Sequence, residues 1–169
     1  NFKWYKHAIY VYIDKSAFEN NEYIETVTLA DSVLKIGDAA FARCVNLKTI
    51  DLGKRLVSID NGVFLGCISL SNITFPDTIL SIGANAFNGC SLLTNITLPK
   101  QITSVGEFAF AGCSSLLSIS IPKSLNIVPL NFCSNCYSLS SVQIEEGPIP
   151  EENFVPRSID KFAFANCPL

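Results

Sequence analysis

The chain has 169 residues, enough for one domain with a real core, and 49% of them are apolar while only 16% are charged. A net charge of −3 excludes the basic footprint that nucleic acid requires, and it is too small to suggest an acidic tail or charge steering. No run approaches the roughly 18 uninterrupted apolar residues of a membrane span, so the apolar side chains must face inward in a distributed way and membrane insertion is not expected.

The chain opens on an aromatic segment, with Phe2, Trp4, Tyr5, Tyr10 and Tyr12 and the single histidine, His7. It lacks the basic-then-apolar profile of a secretory signal. Residues 1–12 are expected to form an irregular covering segment for whatever follows. The sequence contains no Met, and further sequence upstream of Asn1 is expected.

From Ile13 onward one pattern recurs. Ile13, Phe18, Ile24, Val27 and Leu29 make a degenerate first coil, with Asn21 where later coils carry Cys. Cys44, Cys67, Cys90, Cys113 and Cys136 then follow at a spacing of 23 residues. Before each comes Phe41, Phe64, Phe87 or Phe110, with Cys133 in the fifth place; after each comes Leu47, Leu70, Leu93, Leu116 or Leu139. Next stand Ile50, Ile73, Ile96, Ile119 and Val142, then Leu52, Phe75, Leu98, Ile121 and Ile144. Upstream of each Cys lies Ile36, Ile59, Ile82, Val105 or Val128.

Written as one coil, the repeat is LxxIxLxxxLxxIxxxxFxxCxx. Its LxxIxL part alternates in the manner of a short strand and predicts parallel strands near Val27–Leu29 and Ile50–Leu52, then at each equivalent site to Val142–Ile144. Pro76, Pro99 and Pro122 fall at strand ends, where a missing donor is tolerated. Gly37-Asp38, Asp60-Asn61, Gly83-Ala84 and Gly106-Glu107 turn the chain. The stretch into each Phe and Cys is too short for a long helix and predicts an irregular or single helical turn. Phe132-Cys133 stands where other coils have Ala-Phe, which predicts a local shift in the fifth full coil.

After Ile144 an insertion over residues 145–156 carries Glu145, Glu146, Pro148, Pro150, Glu151, Glu152 and Pro156. It reads as a solvated loop rather than a calcium site. Ile159, Phe164 and Cys167 restore the register in a truncated last coil. The chain stops in mid-coil at Leu169, so further sequence beyond it is expected. One coil cannot bury its apolar positions alone, whereas stacked coils share a continuous core. Residues 13–169 are therefore expected to form a single repeat solenoid of about six coils.

The recurring pattern resembles leucine-rich repeats. The sub-pattern Ala86-Phe87-Asn88-Gly89-Cys90 through Leu98-Pro99, repeated as Ala109-Phe110-Ala111-Gly112-Cys113 through Ile121-Pro122, is similar to the BspA-like class. That resemblance implies a right-handed, curved solenoid with a parallel β-sheet on its concave face and irregular or short helical turns on its convex face. It also implies a cell-surface or secreted protein concerned with adhesion and protein binding. One departure is plain: the Asn ladder of many leucine-rich repeats has no counterpart in the pattern.

The seven cysteines invite three kinds of chemistry. In-register side chains on stacked coils lie about 4.8 Å or more apart, farther than the roughly 3.5–4.5 Å between Cβ atoms that a disulfide requires. Zinc needs ligands converging on one point, and these sulfurs form a row. Cys133-Ser134-Asn135-Cys136 is a CxxC, but both cysteines fall on core positions rather than at a helix start in a thioredoxin-like setting. Small buried hydrophobes are the expectation for all of them. A Cys–His7 nucleophilic pair would need an exposed thiolate. No phosphate loop, carboxylate pair or nucleophile elbow is present, so no enzyme, metal or cofactor is expected. Asn72-Ile73-Thr74 and Asn95-Ile96-Thr97 fit the N-glycosylation acceptor pattern at the same repeat position.

Function is then left to the outward positions of the predicted strands. Thr26 and Thr28 on the first coil are followed by Thr49, Asp51, Asn72, Thr74, Asn95, Thr97, Ser118, Ser120, Ser141 and Gln143. This neutral stripe of hydroxyls and amides is a candidate platform for a protein or glycan ligand, although Thr and Ser also simply suit exposed strand positions. It lacks the Tyr, Trp and Arg anchors of tight interfaces. Three roles fit: an adhesion or protein-binding module of a surface or secreted protein, an intracellular scaffold favoured by unpaired thiols, or a passive spacer arm of a larger protein.

Overall fold

A computed structural model describes residues 11–145 and 158–169. Each coil contributes two short strands joined by turns. β1 (Val11–Ile13), β3 (Val33–Ile36), β5 (Ser58–Ile59), β7 (Ser81–Ile82) and β9 (Ser104–Val105) make one parallel sheet, continued by the separate pair β11 (Ile127–Val128) and β13 (Ser158–Ile159). We call this the flank. The front is built from β2 (Thr26–Thr28), β4 (Thr49–Asp51) and β6 (Asn72–Ile73), and from β8 (Asn95–Thr97), β10 (Ser118–Ile121) and β12 (Ser141–Ile144). The front strands stand where the LxxIxL pattern puts them. Register is strict: Val27 pairs with Ile50 and Ile50 with Ile73, while Ile96 pairs with Ile119 and Ile119 with Val142.

The flank is a second sheet that the sequence pattern did not announce. Its core residues Ile36, Ile59, Ile82, Val105 and Val128 were legible, but two-residue strands leave no alternation to read.

The third side of each coil is a regular turn, and no helix occurs among the described residues. Its backbone alternates. Ala40, Ala42 and Cys44 donate their amides back three residues to Gly37, Ala39 and Phe41, while Ala39, Phe41 and Arg43 donate forward to Asn61, Val63 and Leu65 of the next coil. The outer two of those forward donors have positive φ, 55° at Ala39 and 58° at Arg43, and the same pair recurs at Gly62 and Gly66, Asn85 and Gly89, and Phe108 and Gly112. That left-handed geometry turns every second N–H along the solenoid axis, which explains why Gly and Asn gather there.

Phe18, Phe41, Phe64, Phe87 and Phe110 stack behind the turns, with neighbouring ring centroids 5.1–5.7 Å apart and planes within 21°. Phe41, Phe64, Phe87 and Phe110 are buried, each adding about 1.5–3 kcal/mol of transfer free energy. The predicted shift in the fifth full coil is real. Phe132 enters one position early, fills the space beside the smaller Cys133, and meets Phe110 edge-on at 86° rather than stacked. Where coils approach most closely only Gly fits: a Cβ on Gly106 would come within 2.3 Å of the Ala84 backbone nitrogen.

Candidate functional site

Two features of the stack carry chemistry: the row of thiols inside the turns and the polar front. The thiols are all unpaired, with Cys44, Cys67, Cys90, Cys113, Cys133 and Cys136 buried and Cys167 half-buried. Each repeat cysteine has a bonded role that its reading as a small hydrophobe omitted. Cys44 donates its S–H to the carbonyl of Phe18 at 3.1 Å, Cys67 to Phe41 at 3.1 Å, Cys90 to Phe64 at 3.2 Å, Cys113 to Phe87 at 3.3 Å and Cys136 to Phe110 at 3.2 Å. Cys167 continues the series on the Cys133 carbonyl at 3.1 Å.

Each bond is weak, but at Phe41, Phe64, Phe87 and Phe110 it satisfies the second lone pair of a carbonyl whose first is taken by the amide of its own coil's cysteine, as in Cys44 N–H to Phe41 at 3.1 Å; at Phe18 the first donor is the Asn21 amide. This thiol ladder occupies the role that an Asn ladder plays in other repeats. Nothing in the spacing alone distinguishes a donor from a filler.

The environment favours the protonated form of every one of these sulfurs but Cys136. Burial pushes the Cys67 thiol up to about 12 and lifts Cys90, Cys113 and Cys133 well above the ordinary thiol range. Cys44 and Cys167 are raised too, for the same reason. Within the CxxC, a hydrogen bond from Cys133 lowers Cys136, so the two side chains touch. Cys136 has no exposed surface, which leaves it without access to a substrate. Among the described residues no group of His, Cys, Asp and Glu could hold a metal ion. His7 and the cluster Glu146, Glu151 and Glu152 lie outside the described residues.

The front presents the sequence-predicted residues as two rows beside the column of buried Ile50, Ile73, Ile96 and Ile119 and half-buried Val142. Thr49, Asp51, Asn72, Thr74, Asn95, Thr97, Ser141 and Gln143 are exposed, and Ser118 and Ser120 are half-buried. Register places Thr49 beside Asn72, Asn95 beside Ser118, and Ser118 beside Ser141. Several front groups are already engaged: Lys48 pairs with Glu25 at 2.7 Å, Asp51 accepts the Gly53 amide at 2.9 Å, and the Ser118 hydroxyl donates to the Asn95 carbonyl at 3.0 Å.

The front is not one sheet. Lys48, Ser71, Leu117 and Ser140 each donate an amide to the preceding coil, to Glu25, Lys48, Thr94 and Leu117. Thr94, the equivalent residue between them, makes no such bond, and no backbone hydrogen bond joins β6 to β8 among the described residues. Phe75 sits at this seam in a column otherwise filled by Leu29, Leu52, Leu98, Ile121 and Ile144, and its ring packs edge-on against Phe87 at 5.7 Å. A half-open cleft of about 330 Å³ lies there, walled by Asn72, Thr74, Asn95 and Thr97, which are four of the predicted residues. Asp77 and Lys100 close its end, and sequence reasoning missed both because they lie past the strand.

Coils stacked in register, most of them with a Phe-x-x-Cys turn, match the BspA type leucine rich repeat region in 6 copies, over residues 11–140 and 50–169. The chain belongs to the BspA-type leucine-rich-repeat family. This BspA-type chain is 31% identical to a leucine-rich repeat protein from Bacteroides ovatus, with a TM-score of 0.80, covering 92% of this chain and 38% of that one. It is 30% identical to the T. pallidum leucine rich repeat protein, with a TM-score of 0.78, covering 79% of this chain and 62% of the other. A leucine rich cell surface protein from Faecalibacterium prausnitzii shares the fold at 23% identity and a TM-score of 0.51, covering 81% and 52% of the two chains. The BspA-type chain thus spans less than two thirds of the length of each of these structures. Comparison with curated proteins gives no match. No helix among the described residues is long and apolar enough to cross a membrane.

Proposed function

We propose that this chain is a non-catalytic binding region of a BspA-type surface or secreted protein, engaging a protein or glycan through its front face in an adhesive role. The observation that supports this most is the placement of like polar groups in register along successive front strands, where one ligand can touch several coils about 4.8 Å apart. The buried thiols, Cys136 included, have no exposed surface from which to act as a competing nucleophile. The cell-surface name of the Faecalibacterium structure agrees with the localisation, on the strength of a shared fold. The seven unpaired cysteines favour a second reading, an intracellular scaffold, because thiols persist reduced in the cytosol.

Arrays of purified glycans and extracellular proteins are the test, read with the wild-type chain and with Thr49→Lys combined with Ser141→Lys. A front-face ligand should bind with weak salt dependence, since the stripe is neutral, and should be lost in the double variant. A ligand whose affinity the variant leaves unchanged would contradict use of the front face. A partner found only among cytosolic proteins would favour the scaffold.

A further inference from the structure

From the seam between β6 and β8 we infer a specific site for a single neutral, polyhydroxylated ring, such as one hexose unit of a glycan; this rests on the front face being the binding face and names its focus.

Four observations carry it. The cleft, at about 330 Å³ and half open, is at the small end of the range for ligand pockets, suited to a ring rather than a protein loop. Asn72 and Asn95 lie on one side of the buried Ile73–Ile96 column and Thr74 and Thr97 follow it along the chain, so two amides and two hydroxyls line the cleft. Each of these groups both donates and accepts, which is what adjacent hydroxyls on a sugar ring demand.

Availability is the third. Asn72, Thr74 and Thr97 make no side-chain hydrogen bond among the described residues, and neither Asp77 nor Lys100 forms an ion pair there. Asn95 is held by the Ser118 hydroxyl on its carbonyl oxygen at 3.0 Å, which fixes the amide. The Thr94 N–H, the one rung missing from the front series, adds a backbone donor at the same place.

Charge balance is the fourth. Asp77 and Lys100 cancel, so neither an anion nor a cation is selected, while the largely buried Phe75, Leu98 and Pro99 make up the apolar part of the lining.

The experiment is an amide-resolved NMR titration of the full chain with methyl glycosides of neutral hexoses, with inorganic phosphate and a free amino acid as charged controls. At least one hexoside should move the amides of Asn72, Thr74, Thr94 and Asn95 with an affinity of about millimolar, and leave Thr26 and Gln143 in place. Asn95→Ala should weaken it about tenfold, the loss of a fixed hydrogen-bonding pair. Phe75→Leu, a conservative core change, should do the same by letting the seam close, and unchanged amide spectra elsewhere would show that both variants fold.

No shift at the seam with any hexoside, shifts with phosphate or the amino acid alone, or a hexoside response that both variants retain would overturn the assignment. None of those results touches the wider reading. A front-face ligand lost in Thr49→Lys with Ser141→Lys but retained in Asn95→Ala would keep the module and remove the sugar site.

Discussion

On the turn side of the stack, Phe18, Phe41, Phe64, Phe87, Phe110 and Cys133 each donate an amide to the next coil at 2.7–2.9 Å, with no rung missing. On the front, the equivalent series skips Thr94 and the sheet divides into β2-β4-β6 and β8-β10-β12. The same coils are thus joined continuously at the back and interrupted at the face. The difference teaches where stability and recognition reside. Stacked rings, thiol bonds and forward amides fix the coil spacing from behind, so the front can lose a rung and leave polar groups free without the stack coming apart. Residues behind should govern folding; residues in front should govern binding.

The largest expected effect comes from removing a ring. Phe87→Ala should destabilise the chain by about 3–5 kcal/mol, because Phe64, Phe75 and Phe110 all pack on that ring. Denaturant unfolding checks it, and a loss below 1 kcal/mol would remove the turn side from its controlling place. Next comes Gly106→Ala, where the new Cβ meets backbone rather than a yielding side chain. A cost of about 1–3 kcal/mol or more is expected by the same measurement.

The thiol ladder sharpens the comparison through pH. Burial holds Cys67 at about 12 and Cys90, Cys113 and Cys133 well above the ordinary thiol range, whereas unfolded thiols titrate near the ordinary value of about 8.5. Above the unfolded value the unfolded chain has released protons that the folded chain keeps. Stability should therefore be full below about pH 8 and fall as pH rises toward 12, by up to about 1.4 kcal/mol per unit for each such thiol. Unfolding curves between pH 7 and 10 test this, and Cys67→Ala with Cys90→Ala should flatten the slope. The smallest effect belongs to the front: Thr74→Lys with Thr97→Lys should change stability within about ±0.5 kcal/mol per site, since both residues are exposed.

Much of this was legible because a repeat averages out local ambiguity. One occurrence of Phe-x-x-Cys means little; its return at a fixed spacing placed the Phe stack, the thiol row and the front strands together. The exchange of Phe132 and Cys133 marked the fifth full coil as locally shifted, though not that its ring would meet Phe110 edge-on. The flank sheet escaped notice because β5, β7, β9 and β11 are too short to alternate. The thiol bonds escaped because burial and donation look alike in a sequence. The seam depends on spacing between coils, and a single Phe at position 75 was the one sign of it.

Amide hydrogen exchange measured residue by residue tests the contrast most directly. The amides of Phe41, Phe64, Phe87 and Phe110 should exchange only at the rate of global opening, while Thr94 exchanges far faster than its equivalents Leu117 and Ser140. Equal protection of Thr94, Leu117 and Ser140 would show an unbroken front sheet and contradict the account. So would rapid exchange at the four Phe amides, because the turn side would then not be what holds the coils together.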